Sequence, residues 1–229
     1  MRIPLALTAA TLAALVTAAA PAATRDFPAR AFSQVDLTAA ADVTIRTGAG
    51  FAVHAEGDQP LVDRLTAEVR EGVLVLGWKP GGWVHSNNGR LRGAITMPRT
   101  TGVAIGGAGS IDLDQGSGPA FGANVSGAGT IKVAALHVER TVLAMSGTGH
   151  ITVAGSTGVL DAHTSGVGSI DAATLVAKSG RVSMSGTGHI RARVDGPVDA
   201  AMSGVGDIAI DGHPICTVHK SGLGSIRCG

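Results

Sequence analysis

Between Ile105 and Cys228 the chain writes one short phrase seven times: IGGAGSIDL from Ile105, VSGAGTIKV from Val125, MSGTGHITV from Met145 and TSGVGSIDA from Thr164, then MSGTGHIRA from Met184, MSGVGDIAI from Met202 and KSGLGSIRC from Lys220. The first glycine of each Gly-x-Gly falls at 107, 127, 147, 166, 186, 204 and 222, in steps of 20, 20, 19, 20, 18 and 18. A period of that size is the mark of a chain wound into stacked coils, in which one unit cannot bury its apolar face without neighbours.

Parity inside the repeat says which side chains point inward. Val103, Ala123, Leu143, Ala162, Val182, Ala200 and Val218 share one position ahead of the Ser-Gly. After it come Ile111, Ile131, Ile151, Ile170, Ile190, Ile208 and Ile226, and two places on Leu113, Val133, Val153, Ala172, Ala192, Ile210 and Cys228. Alternate residues of a strand face opposite ways, so these columns line one interior, with equivalent strands about 4.8 Å apart. The Gly-x-Gly lets the backbone corner between strands. The expectation is an all-β, right-handed parallel β-helix of about seven regular coils over residues 105–229, joined to irregular coils over 32–104 in a single domain.

Those earlier residues read as short strands at Val35/Leu37, Val43/Ile45 and Phe51/Val53. Asp58 followed by Pro60, with Leu61, Leu65 and Val69 behind, predicts one short helix over 59–67. Val73 to Leu76 returns to strand, and residues 23–31 read as a loose polar leader. At the start, Arg2, the apolar run Leu5–Val16 and Ala20-Pro21-Ala22 make residues 1–22 a secretory signal, the alternative being a retained anchor. The apolar run is short for a membrane span, and no cysteine follows it to take a lipid.

Composition narrows the partners. Of 18 Lys and Arg, one lies in the signal, leaving 17 cations against 17 acids. That balance argues against nucleic acid, whose affinity comes from clustered cations, and against a charge-held membrane surface. With 34 glycines, 3% aromatics and no tyrosine, the chain suits a thin solenoid filled by small aliphatics. The absence of a Gly-X-Y period excludes collagen.

Gly106-Gly107-Ala108-Gly109 resembles a calcium-binding nonapeptide, but Ile111 stands where that motif needs Asp and the period is about twenty. A dinucleotide fingerprint would need a third glycine and a following helix. Neither a metal nor an organic cofactor is implied. Ser169, His189 and Asp207 fall in one outward column, yet a flat ladder supplies no oxyanion hole and no exclusion of water. Asp161, Arg181 and Asp199 fall in another. Two carboxylates at that spacing would suit a sugar-cleaving enzyme, but the arginine between them fits register-fixing ion pairs better. Asp112 beside Lys132 and Asp171 beside Arg191 read the same way.

The stretch WKPGGWVHSNNGRLR from Trp78 is the one insertion in the pattern. Trp78, Trp83, His85 and Arg90 are its candidate ligand contacts, since an exposed indole stacks on sugars. The alternative is a surface hairpin whose rings cover the core. Cys216 and Cys228 are equidistant from Gly222 and occupy inward columns of the last coil, which predicts a disulfide in an exported chain. Two buried free thiols are the alternative.

The tandem Ser-Gly-x-Gly-x-Ile repeats, the opening FSQVDLTAAADVTIRTGAGFAVHAEGD, the strand EVREGVLVLGW and the junction AITMPRTTGVAIGGAGSIDL resemble the family called putative auto-transporter adhesin, head GIN domain. The resemblance spans roughly residues 32–227 and implies a binding role without supplying catalytic residues. The expected function is that of an exported, non-enzymatic protein of the periplasm, envelope or cell surface that binds polysaccharide or a surface protein. The alternative is a polysaccharide lyase or hydrolase using Asp161, Arg181 and Asp199.

Overall fold

The computed structural model describes residues 22–81 and 90–229; the expected export signal apart from Ala22, and also Trp83 and His85, lie outside the described residues. In chain order the elements are β1 (Ala23–Asp26), β2 (Gln34–Leu37), β3 (Ala40–Thr47), β4 (Ala52–Gly57), α1 (Gln59–Arg64), β5 (Leu65–Arg70), β6 (Val73–Trp78), β7 (Leu91–Met97), β8 (Gly102–Ile105) and β9 (Ala108–Val125). Then follow β10 (Ala128–Met145), β11 (Thr148–Thr164), β12 (Val167–Met184), β13 (Thr187–Val194), β14 (Pro197–Met202), β15 (Val205–Gly212), β16 (Ile215–Lys220) and β17 (Leu223–Cys228). They form a β-solenoid of stacked coils, about 6 turns. Seven copies of the phrase are seven corners, which bound six complete intervals.

The repeats stack in strict parallel register. Ile131 lies beside Ile111 and Ile151, Ile170 beside Ile151 and Ile190, and Ile208 beside Ile190 and Ile226. The inward columns are buried from Ile111 to Ile210. Corner glycines are required by the stacking itself. A Cβ on Gly147 would lie 1.9 Å from the carbonyl oxygen of Gly127 in the coil before. In mid-coil the core alternates large and absent side chains, with Gly116, Leu136, Gly155 and Leu175 in one register position. A Cβ on Gly116 would come within 2.7 Å of Leu136 and 2.8 Å of Phe121, so those two side chains fill the volume the glycine leaves. Thr141 is buried and donates to Thr157 at 3.0 Å, which satisfies its hydroxyl.

Upstream, spatial order departs from chain order. The β2–β3 coil lies between two later ones: β2 pairs with β6 on one side and β8 on the other, and β3 with β7 and β9. Antiparallel strands close this end, with β5 on β6, β4 on β7 and β1 on β4. The helix stops at Arg64, shorter than the 59–67 expected. Its continuation becomes β5, because a two-residue turn with positive φ at Glu71 and Gly72 folds Leu65–Arg70 back onto β6. Residues 23–26, expected to be loose, form β1. Phe27 next to it is buried, and the Arg25 guanidinium lies 4.7 Å from the Phe27 ring centroid.

At the other end Cys216 and Cys228 form a disulfide with Cα atoms 6.6 Å apart. Among the described residues β16 and β17 stack on β14 and β15 but carry no coil on their far side, so Val218 is 46% exposed although its column is otherwise buried.

Candidate binding faces

Each coil shows solvent two broad strand faces, one before and one after the Ser-Gly corner. On the face after it, the register puts Ser110, Thr130, His150, Ser169, His189, Asp207 and Ser225 in one outward column. Successive members bond along the axis. His150 Nδ1 shares a hydrogen bond with Ser169 Oγ, His189 Nδ1 lies 3.6 Å from Asp207 Oδ2, and Ser225 donates Oγ–H and N–H to Asp207 Oδ1 at 2.5 and 3.2 Å. The Ser225 hydroxyl, more than the neighbouring His189 and Arg227 charges, holds the Asp207 carboxyl below its ordinary pKa. The triad-like row Ser169–His189–Asp207 is therefore in register, but the Ser169 hydroxyl meets His150 instead.

The second column on this face runs Asp112, Lys132, Thr152, Asp171, Arg191, Ala209 and Arg227. Asp112–Lys132 and Asp171–Arg191 stand in adjacent coils, but among the described residues neither closes to the ion pair expected of it. Asp171 uses its carboxylate locally, accepting the Ala173 N–H at 3.1 Å. Where the column drops to Ala209, a hollow of about 380 Å³ opens between Arg191 and Arg227, edged by His189 and Asp207.

On the face before the corner, Asp161, Arg181 and Asp199 are neighbours in register, as the spacing predicted. Arg181 Nη2 lies 3.7 Å from Asp199 Oδ2, both side chains largely exposed. Together with Arg140 they border a groove of about 400 Å³. Beside it, His163, Ser183, Ala201 and His219 align, with the corner serines Ser165, Ser185, Ser203 and Ser221 along their edge, in a groove of about 710 Å³. Upstream the same face turns small and smooth at Gly122, Val142 and Ala144. There burial pushes the Asp36 carboxyl above its ordinary pKa.

Of the candidate contacts in the insertion, Trp78 is partly buried against the core as the last residue of β6, and Arg90 is exposed just before β7. Trp83 and His85 lie outside the described residues. Sequence reasoning missed the hollow over Ala209; the signal was present as a lone alanine between two arginines one period away on either side. It also missed His213, whose N–H and ring Nδ1 lie 3.0 and 3.2 Å from Asp195 Oδ1. The ring contact is the larger cause of the lowered Asp195 pKa. Among the described residues no group of three or more His, Cys, Asp or Glu is arranged to hold a metal ion.

The family model described as putative auto-transporter adhesin, head GIN domain, matches residues 31–214. The chain belongs to this family. No curated protein matches it. Among solved structures, this head GIN chain is similar to a putative adhesin from Bacteroides fragilis NCTC 9343, with a TM-score of 0.85 at 23% identity over 91% of this chain and 97% of that one. It is also similar to a putative lipid binding protein from Parabacteroides distasonis ATCC 8503, with a TM-score of 0.66 at 17% identity over 90% and 96%. A putative adhesin from Parabacteroides merdae ATCC 43184 gives 0.64 at 14% over 91% and 97%. At these identities the likeness is one of fold. Among the described residues no helix of this head GIN domain is long and apolar enough to cross a membrane.

Proposed function

We propose that this head GIN protein is an exported, non-enzymatic binding protein of adhesin type. It acts in the periplasm, at the envelope or on the cell surface, and holds a polysaccharide or a surface protein along its ladder faces. The observation that carries the reading is the in-register stacking of outward polar columns, which repeats hydroxyl, imidazole and charged groups at every coil. An extended ligand laid along the axis meets such groups at a regular spacing of about 4.8 Å. The signal-like residues 1–22 and the adhesin family support export, and the neutral charge balance speaks against nucleic acid. No cofactor is needed for such a role.

The lyase or hydrolase reading loses support from the position of Arg181. It stands between Asp161 and Asp199 in register and lies near the latter, so a cation separates the two carboxylates across the groove they share. The test is incubation of the signal-free protein with a panel of acidic and neutral glycans and with envelope protein extract. Retention without turnover is the expected outcome; new reducing ends or unsaturated products would overturn it. In the same assay Trp83→Ala is expected to weaken glycan retention with the melting temperature unchanged. A large loss of stability would instead make that ring a cover for the core.

A further inference from the structure

We propose that the hollow over Ala209 is a binding site for the anionic group of an acidic polysaccharide, a carboxylate-bearing sugar chain lying along the solenoid axis. The inference rests on the adhesin-type reading and names the ligand class of one of its faces.

Arg191, Ala209 and Arg227 occupy one outward column in three successive coils. Two coil spacings separate the arginine backbones by about 10 Å, and the alanine between them leaves the hollow of about 380 Å³. Both arginine side chains are long enough to lean over Ala209 from opposite sides. Both residues are exposed, and among the described residues neither guanidinium lies within ion-pair distance of a carboxylate. Asp171, the acid beside Arg191 in register, is engaged by the Ala173 N–H. Asp207 beside the hollow is engaged by Ser225.

Two planar guanidiniums flanking one empty position form a clamp for a carboxylate, because each presents paired donors and stays charged at any physiological pH. The neighbouring column supplies what a sugar ring requires next to its acid group. Asp207 retains an acceptor oxygen, Oδ2, facing His189, and the imidazole both donates and accepts. Hydroxyl groups of the same residue or the next one find partners there. A bare anion would use the arginines alone, whereas a hydroxyl-bearing acid uses both columns. The hollow continues past His189 to Ser169 and His150, along the axis, which suits a chain more than a single sugar.

The test is retention of the signal-free protein on immobilised polygalacturonate, on its fully methyl-esterified counterpart and on polyglutamate, at matched low salt. Polygalacturonate is expected to bind, and the ester and polyglutamate at least about tenfold more weakly. Arg191→Gln with Arg227→Gln is expected to lower polygalacturonate affinity roughly tenfold or more. Ala209→Leu, which fills the hollow without removing charge, is expected to do the same. Arg46→Gln, an exposed cation elsewhere, is expected to change nothing. Equal retention of polyglutamate, or arginine and Ala209 variants that bind polygalacturonate like the parent, would overturn the site. Binding that persists on neutral glycans and ignores these substitutions would overturn this site while keeping the adhesin-type reading. A chain that retains no glycan and no envelope protein fails both.

Discussion

Upstream of Ile105, β4 pairs antiparallel with β7 and β5 with β6, while downstream, among the described residues, every pairing is parallel. The two regions share a core but meet different constraints. Antiparallel neighbours can be joined by a tight turn, where a positive φ calls for glycine, as at Gly72. Gly57 is also held by a close approach, since a Cβ there would lie 2.4 Å from the Arg90 carbonyl oxygen. Parallel coils run backbone over backbone at every corner, and a side chain at that crossing would strike the carbonyl of the coil before. The regular half is thus governed by the space between coils, and the irregular half by how its hairpins close the end of the stack.

That comparison is broken most directly with two alanine substitutions. Gly147→Ala places a Cβ 1.9 Å from the Gly127 oxygen, whereas Gly50→Ala in the upstream half meets nothing within 4 Å. The first is expected to cost about 3 kcal/mol or more in urea unfolding, and the second to stay within about 0.5 kcal/mol. Comparable losses at both positions would show that the two halves are not differently constrained.

The ends of the stack differ next. The upstream end is covered by antiparallel strands, while the last coil leaves Val218 of an inward column 46% exposed and is cross-linked by Cys216–Cys228. Open edges fray and invite pairing, and a short covalent loop restrains them. Replacing both cysteines by serine is expected to cost about 2–3 kcal/mol in the chain-entropy account of a loop this short. Amide exchange should quicken first in β16 and β17 and leave β1 and β5 unchanged. Uniform exchange across both ends would refute a local role for the bridge.

The smallest effect separates carboxylates of the two halves by the sign of their titration. Asp195 and Asp207 have lowered folded values, through His213 and Ser225, so their stabilisation is present above the unfolded carboxyl pKa of about 3.9 and is lost as pH falls through the folded values. Asp36 has a raised value from burial, so its ionisation opposes folding at neutral pH and has no effect once both states are protonated. Asp36→Asn is therefore expected to raise the melting temperature at pH 7 by less than about 2 °C and to change nothing near pH 3. Asp207→Asn should act in the opposite direction, lowering it at pH 7 and converging with the parent in acid. Identical pH profiles for the two variants would remove the distinction.

The period of Ser-Gly-x-Gly-x-Ile, read alone, carried the solenoid, the buried isoleucine column, the alignment of Asp161 with Arg181 and Asp199, and the meeting of Cys216 with Cys228. Stacked coils make residues of equal phase into neighbours, so a one-dimensional count already measures distance. Where phase is lost, the count fails. Nothing in the order of residues 32–104 says that β2 and β3 lie between strands written later, because that placement depends on how the intervening chain closes against them. The helix that stops at Arg64 and the strand at Ala23–Asp26 were likewise decided by partners distant in sequence, which outweigh local propensity when they bury Leu65 and Phe27. The hollow over Ala209 belongs to the same class. Its arginines are visible in the sequence, but an empty volume exists only where two columns, side by side in space, leave one place unfilled.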